Sequence, residues 1–240
     1  SLSLIGLPAA RLLLLPLTFL WAGFLVEQDW GVLNFLNLPD LMQLIVGMLV
    51  LDYGIYLWHR LMHQSALLWR FHNVHHVDRD MDLSTGLRFH LGELFLSIPF
   101  RFLVIGLAGV GPIAIVIYEI IFEAGTLFHH SNIKLSPRLE RLLAFFIITP
   151  RQHGIHHSKV KDESDSNYGT VLNWWDKFHK SSRMDIPQDK VEIGIPGYED
   201  DSDHSLVSLL KMPFDKPRPW VKTNGEVPYR DRADYTDRLK

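Results

Sequence analysis

Histidines are grouped in this chain, and their grouping constrains the possible fold more than any other feature of the sequence. Eleven of the thirteen histidines fall between His59 and His157, and eight of them form three tight clusters. Side chains three or four residues apart share one face of a helix, so each cluster can direct two or three imidazoles at one point. Lone histidines are seldom metal ligands, but three clusters with this spacing predict a metal site held on helices. The clusters are His59 and His63; His72, His75 and His76; and His153, His156 and His157.

The number and type of ligands narrow the kind of site. Eight imidazoles exceed what one tetrahedral or octahedral ion can use, which predicts two metal ions in one site. Imidazole suits zinc, copper, iron and nickel, so the ligand type alone does not name the metal. Zinc hydrolases usually add a carboxylate, and soluble di-iron bundles are rich in Glu, whereas no Glu occupies a cluster here. An all-imidazole dinuclear centre favours the binding of oxygen and electrons over the ionisation of water.

Composition excludes several classes of protein. The net charge of -3 argues against a nucleic-acid partner, which would require a basic surface. The chain has no cysteine, which excludes disulfides, thiolate zinc sites, iron–sulfur clusters held by this chain and cysteine nucleophiles.

Four apolar segments are long enough to cross a bilayer as helices. They predict spans at about 2–26, 41–58, 94–110 and 113–128, the last two joined as a hairpin by the Gly109-Val110-Gly111-Pro112 turn. A cleaved signal peptide fits the first segment poorly, because its small residues precede the apolar core. We therefore predict an all-α polytopic membrane protein whose helical cap, residues 59–93 and 129–180, holds the dinuclear site. Residues 181–240 are predicted to form a polar tail. The alternative topology replaces the hairpin by a re-entrant pair that stays in one leaflet.

The basic residues predict the orientation of these spans. The connection 27–39 carries no Lys or Arg, whereas the segments after the second and fourth spans carry several. Basic loops face the cytoplasm, so the histidine clusters and the 181–240 tail are predicted on that side. The expected location is the bacterial inner membrane, or the endoplasmic reticulum membrane if the source is eukaryotic.

Motifs around the clusters carry a family resemblance. The clusters occur in a fixed order after paired apolar spans, and their flanking segments are 52–63, 69–72, 88–90, 128–132, 149–153 and 166–169. Between about residues 41 and 180 this pattern resembles the fatty acid hydroxylase and sterol desaturase superfamily of membrane di-iron enzymes.

The resemblance implies a ligand set. It assigns the metal to the eight clustered histidines, with His130 and His90 as further ligands or supporting partners. Two departures weaken parts of this transfer: Leu91 stands where the family often has Pro, and His129 where a Gln is common. Ligating histidines usually need a hydrogen-bond partner behind them, a role expected of four other residues. These are His129, Asp52, Asn132 and Asn167.

The resemblance also implies a reaction. Two iron ions, replaceable by zinc during purification, would use O₂ as co-substrate to attack a C–H bond of a membrane lipid such as a fatty acyl chain or a sterol. Hydroxylation is the favoured outcome, and desaturation at the same site is the alternative. No flavin, haem or iron–sulfur motif is visible, so an external electron donor is expected, either a ferredoxin, cytochrome b5 or a similar reductase system.

Charges inside the predicted hairpin suggest how the site is reached. Arg101 and Glu119 lie at similar depth when counted from the turn, which predicts an ion pair; snorkelling of Arg101 to the interface is the alternative. Glu123 and Trp174 are predicted to line the substrate channel, although anchoring at the lipid headgroups is the safer interpretation of Trp174.

Three other classes of protein remain open at this point. They are a non-catalytic metal-binding or metal-transport protein, a bis-histidine haem protein and a zinc-dependent lipid hydrolase.

Overall fold

Helices make up the regular structure, as the sequence predicts. The computed structural model describes residue 12 and residues 14–235. Within these residues there is no β-sheet, and only two isolated β-bridges form, between Ile147 and Leu172 and between Ser158 and Ile193.

Three helices in the described residues are long and apolar enough to cross a membrane. They correspond to the predicted spans 41–58, 94–110 and 113–128. Residues 2–11 and 13 of the predicted first span, 2–26, lie outside the described residues, and most of its described part belongs to a thirteen-residue helix. The helices that contain or adjoin these segments are α1 (Leu15–Glu27), the short α2 (Val32–Phe35), α3 (Asp40–Gln64), α5 (Leu91–Ala108) and α6 (Pro112–His129). Helix α4 belongs to the cap and is described below.

Glycine allows the tight turn between α5 and α6. Gly109 ends α5 in the left-handed region, with φ 73°, and Pro112 begins α6. Gly31, with φ 101°, packs so closely on Gly109 that a Cβ atom on Gly31 would overlap the Gly109 backbone. The predicted tight turn between two apolar helices is therefore present, and the connection between α1 and α3 lies against it. Side chains of α1, α2, α5 and α6 form an apolar core at this end of the molecule.

The opposite end carries the shorter helices of the cap. Ser65 ends α3 and caps the next helix by accepting a hydrogen bond from the Leu68 N–H, so the chain turns without a long loop. Because α3 continues to Gln64, His59 and His63 belong to the spanning helix itself. The cap helices are α4 (Ala66–His76), α7 (Pro137–Phe146), α8 (Pro150–His156), α9 (Lys161–Ser164), α10 (Trp174–Phe178) and α11 (Leu206–Lys211).

Residues 181–235 fold back over the cap. Ile195, Leu209 and Met212 pack on Val74 and Val77 near the end of α4 and form a second apolar core. The segment predicted as a polar tail thus covers the helices that carry the second histidine cluster.

Candidate metal centre

Nine histidines form two adjoining groups within the described residues. In each group the ligand nitrogens lie within 4.8 Å of one another, and every member is buried. All eight histidines of the three sequence clusters belong to a group, and His130 joins them. One group contains His59, His63, His72, His76 and His156, and the other contains His75, His130, His153 and His157.

Four helices bring these side chains together. The first cluster lies at the end of α3, the second in the last two turns of α4, and His130 directly follows α6. In the third cluster, His153 and His156 lie on α8, a helix of only seven residues, and His157 is its C-cap residue. Thr149 and Gln152 form a capping box at its start, and Pro150 occupies its first turn, which fixes the direction in which the helix begins. These local features position the three ligands of the third cluster.

Backbone carbonyls set the tautomer of three imidazoles. The Nδ1 of His59 donates to Tyr168 O at 2.8 Å, that of His130 to Thr126 O at 2.8 Å, and that of His156 to Ser166 O at 2.7 Å. A carbonyl oxygen only accepts, so the proton of each neutral ring lies on Nδ1. The Nε2 lone pair of each ring is therefore free to face the group.

Glu93 supports a fourth imidazole. Its Oε1 lies 3.3 Å from Nδ1 of His72, and both side chains are buried. A carboxylate behind a ligating histidine orients the ring and raises its basicity. The sequence analysis did not identify Glu93. The sequence does show a single carboxylate in the first turn of an apolar span, and this feature could have indicated it.

Nitrogen lone pairs converge in the centre of each group. Nε2 of His59 lies 3.1 Å from Nε2 of His72, and Nε2 of His130 lies 3.0 Å from that of His153. Nε2 of His156 and both ring nitrogens of His63 are buried without a hydrogen-bond partner. Buried lone pairs without protons between them are costly unless a cation accepts them. The donor set therefore fits metal ions.

Burial keeps the cap imidazoles neutral. It lowers the pKa well below the usual value for five of the clustered histidines, and neighbouring imidazoles lower it further: His75, His76, His153, His156 and His157. The pKa of His130 falls to about 4 for the same main reason. Neutral imidazoles at pH 7 are the form that binds a metal. An all-nitrogen set suits iron, zinc, copper or nickel and not calcium or magnesium, which prefer oxygen.

The two groups share a boundary. The rings of His76 and His157, which belong to different groups, stack with centroids 4.3 Å apart, and the rings of His72 and His75 lie 5.3 Å apart. Two ions held by the two groups would therefore be neighbours, as the count of eight ligands predicts.

His90 lies outside both groups. It is the N-cap residue of α5, where its Nδ1 accepts from the Gly92 N–H at 2.9 Å, and its Nε2 donates to Leu210 O at 3.2 Å. Both ring nitrogens are thus used by the backbone, and we leave His90 out of the ligand set.

The four expected supporting residues are placed differently from one another. His129 donates from Nδ1 to Thr170 O at 3.0 Å, and its ring lies 3.9 Å from that of His153. Asn167 donates to Gln152 O on α8, so it supports the helix instead of a ring. Asp52 accepts from the Tyr118 hydroxyl and the Trp175 indole, and Asn132 is exposed. Of the four, only His129 contacts a ligand ring.

A cavity of about 130 Å³ reaches the histidines from the spanning helices. Its walls are mostly apolar and include Ile55, Leu94 and Phe122. Arg101 and Glu119 lie in the same wall and form an ion pair at 2.7 Å, which confirms the predicted pairing. Of the two residues predicted to line a substrate channel, Glu123 lines this cavity, whereas Trp174 is not among its lining residues and is 42% exposed. Six histidines line the cavity, five of them from the two groups and the sixth being His129; they are His59, His72, His75, His129, His130 and His153.

Comparison with known proteins agrees with this geometry. The sequence model of a family described as fatty acid hydroxylase matches residues 44–181, more than half of the chain. An ornithine lipid hydroxylase from Rhizobium tropici is 34% identical over 166 residues, which cover 66% of this chain and 47% of that protein.

Alkylglycerol monooxygenases are also similar. The human protein is 28% identical, covering 60% of this chain and 31% of its own length, and that of Danio rerio is 29% identical, covering 69% and 36%. The chain thus spans less than half the length of the curated relatives it matches. No solved structure matches it.

Proposed function

This chain belongs to the fatty acid hydroxylase family, and on that premise we propose that it is a membrane di-iron oxygenase that hydroxylates a C–H bond of a lipid. One observation carries the proposal: two adjoining groups of buried, neutral imidazoles end an apolar cavity that lies among membrane-spanning helices. The relatives named above are a lipid hydroxylase and a lipid monooxygenase, which supports an oxygenase.

The nine grouped histidines would hold the two ions. Iron bound there would supply the activation of O₂, which an all-imidazole donor set permits. The overall reaction balances as substrate C–H, O₂, two electrons and two protons giving C–OH and water. The carbonyls behind His59, His130 and His156, and Glu93 behind His72, would keep the ligand rings in place throughout.

The cavity would bind the hydrocarbon part of the substrate. Its apolar walls favour a chain over a polar molecule and exclude water from the reacting carbon. Arg101 and Glu119 line this cavity and also a smaller one of about 20 Å³. We propose that the ion pair separates the two cavities and limits how far the hydrocarbon chain extends.

Sidedness and membrane contact follow the basic residues. We propose that the cap faces the cytoplasm, because the segments that carry it are basic and the connection between α1 and α3 is not. Helices α7 and α10 would lie at the headgroup level, since Leu142, Phe145, Trp174 and Phe178 are exposed there beside Arg141 and Lys177.

The test compares lipids and metal in the same cells. Expression of the intact protein should add one oxygen atom to a lipid in mass spectrometry, whereas loss of two hydrogens would indicate desaturation. His153→Ala, which removes a ligand, should abolish the product and lower the iron bound per protein. His204→Ala is the matched control, because His204 lies outside both groups and donates to Tyr198 O. Full activity of His153→Ala, or an unchanged lipid profile with iron-loaded protein, would refute the proposal.

A further inference from the structure

We propose that electrons reach the metal centre through Trp220 and Trp69, from an acidic one-electron carrier protein that docks on a basic face of the cap. This inference rests on the proposed function, because an oxygenase needs two electrons for each turnover. Each transfer oxidises the carrier by one electron and reduces the centre by one, and two transfers complete the balance.

Trp69 lies directly against the first histidine group. Its ring centroid is 4.9 Å from that of His63 and 5.4 Å from that of His76. Trp69 is half-buried, whereas the His76 ring is almost completely covered. Trp69 therefore contacts two side chains that would bind metal, so an electron could tunnel past its ring to the centre without residing on it.

Trp220 extends this path toward solvent. Its ring lies 5.9 Å from that of Trp69 with an interplanar angle of 34°, and its indole N–H donates to Lys159 O at 2.7 Å. Lys161 Nζ lies 5.1 Å from the Trp69 ring centroid and 4.8 Å from that of Trp220. These contacts hold the two rings in a fixed relation, and such π-systems in contact provide a short route for an electron.

The two tryptophans lie on the side of the centre away from the cavity. The cavity walls include His59 and His72 but not His63, His76 or either of these tryptophans. Substrate and electrons would thus approach from different sides, and a docked carrier would not block the lipid.

Charge indicates the kind of carrier. Segment 211–222, which contains Trp220, has four basic residues and one acidic residue, and residues 214–219 are exposed. Lys161, beside both rings, is 42% exposed and pairs with Asp165. Arg218 pairs with Asp203 and Lys222 with Glu226, whereas no ion pair within the described residues involves Lys211 or Lys216, so these two exposed lysines carry the positive charge of the face. Such a face accelerates association with an acidic partner.

A second series of rings leaves the same histidine group. The Tyr168 ring lies 5.3 Å from His63 and 6.3 Å from Tyr56, and Tyr56 lies 5.1 Å from His179. This series needs three rings where the tryptophan path needs two, so we favour the tryptophans. It also supplies the competing variant for the test.

The experiment measures anaerobic reduction of the iron-loaded protein in detergent by stopped flow. One arm uses a reduced acidic plant-type ferredoxin, followed by its own absorbance, and the other uses dithionite, which is small enough not to need the docking face. Trp220→Leu should slow reduction by ferredoxin and leave reduction by dithionite and the iron content unchanged. Trp220→Phe should restore most of the rate, since it keeps an aromatic ring.

Controls separate the route from stability and from the competing path. Trp30→Leu changes an exposed tryptophan near the α5–α6 turn and should have no effect. His179→Leu should also have no effect; slowing by this variant, with a normal rate for Trp220→Leu, would overturn the route. The Lys216→Glu and Lys222→Glu double variant should lower the association rate with ferredoxin by about tenfold or more at low salt, and binding to the metal-free protein should weaken as well.

Failure of this proposal differs from failure of the proposed function. If the chain is not an oxygenase, protein that has been reduced anaerobically by ferredoxin or by dithionite, freed of excess reductant and then exposed to O₂ with extracted lipid will form no oxygenated product. If only the route is wrong, protein reduced by either reagent will form the product, and Trp220→Leu will be reduced by ferredoxin at the normal rate.

Discussion

At the scale of single residues, backbone carbonyls orient most of the supported imidazoles. Tyr168, Thr126 and Ser166 provide the acceptors, and Glu93 is the one side chain that does so among the ligands described above. The tautomer of a ring is then set by where the backbone lies, so a side-chain substitution at these three acceptor positions leaves the carbonyl in place. The ligand set depends on the fold more than on neighbouring side chains.

The Arg101–Glu119 ion pair makes the stability of the protein sensitive to the loss of one of its two charges. Both side chains are less than one-fifth exposed and lie on helices that are long and apolar enough to cross a membrane. Arg101→Met leaves Glu119 without its cation, and removal of one partner of a buried pair typically costs about 3–5 kcal/mol of unfolding free energy. We expect Arg101→Met to lower stability in detergent by an amount at the low end of this range, since the pair is not fully covered.

The double variant tests whether the charge is the cause. Arg101→Met with Glu119→Leu removes both charges and should be more stable than Arg101→Met alone. Chemical unfolding followed by circular dichroism measures the three free energies. Costs that simply add would show that the two charges do not interact.

At the scale of elements, α8 has to position three ligands, of which His153 and His156 lie among its seven residues and His157 is its C-cap residue. An isolated helix of this length is unstable in water, because few hydrogen bonds offset the cost of nucleation. Its capping box and the proline in its first turn compensate, and its buried surroundings complete the support. The third histidine cluster is therefore only as well ordered as the start of its helix.

Thr149→Ala is the corresponding prediction. Loss of the N-cap hydroxyl should cost about 1 kcal/mol of unfolding free energy and lower the iron bound per protein, since α8 would fray at its first turn. Ser205→Ala is the matched control, because Ser205 caps α11 by accepting from the Ser208 N–H and is remote from the ligands in sequence. Unfolding curves and metal analysis of both variants measure the effect; equal iron loss in both would contradict the role assigned to α8.

At the scale of the whole molecule, the returning 181–235 segment locks the cap. Arg230 pairs with Glu163 of α9 at 2.6 Å, and the Glu163 side chain is fully buried. The Ser158 hydroxyl donates to the same carboxylate at 2.6 Å, one residue after the third histidine cluster. A distant part of the chain is thus tied to the loop that follows the ligands.

Arg230→Met should destabilise the whole protein. It leaves the Glu163 carboxylate buried without its cation, at an expected cost of about 3–5 kcal/mol. Arg79→Met is the control, because its partner Asp201 is 94% exposed and water screens such a pair, so its loss should change stability little. Thermal unfolding in detergent distinguishes them; similar small shifts for both variants would show that the 181–235 segment does not stabilise the cap.

The metal site and the apolar spans, which the sequence determined by itself, follow from regular spacings of residues along the chain. Three- and four-residue spacings share a helix face, so the clusters predict a metal site; eighteen or more apolar residues predict a span. Even the division of the clusters follows from helix geometry. His72 and His76, four apart, join one group, while His75 joins the other, because consecutive residues diverge by about 100° around a helix.

The tertiary structure alone decided the roles of residues whose sequence neighbours give no indication of them. His130 and His90 are both outside the clusters, yet His130 lies at the end of α6 against α8, while His90 caps α5 and faces residue 210. Glu93 became a partner of His72 by the packing of α5 on α4, and Trp220 reached Trp69 because the 181–235 segment folds back. Sequence spacing describes one helix at a time, whereas these contacts depend on which helices meet.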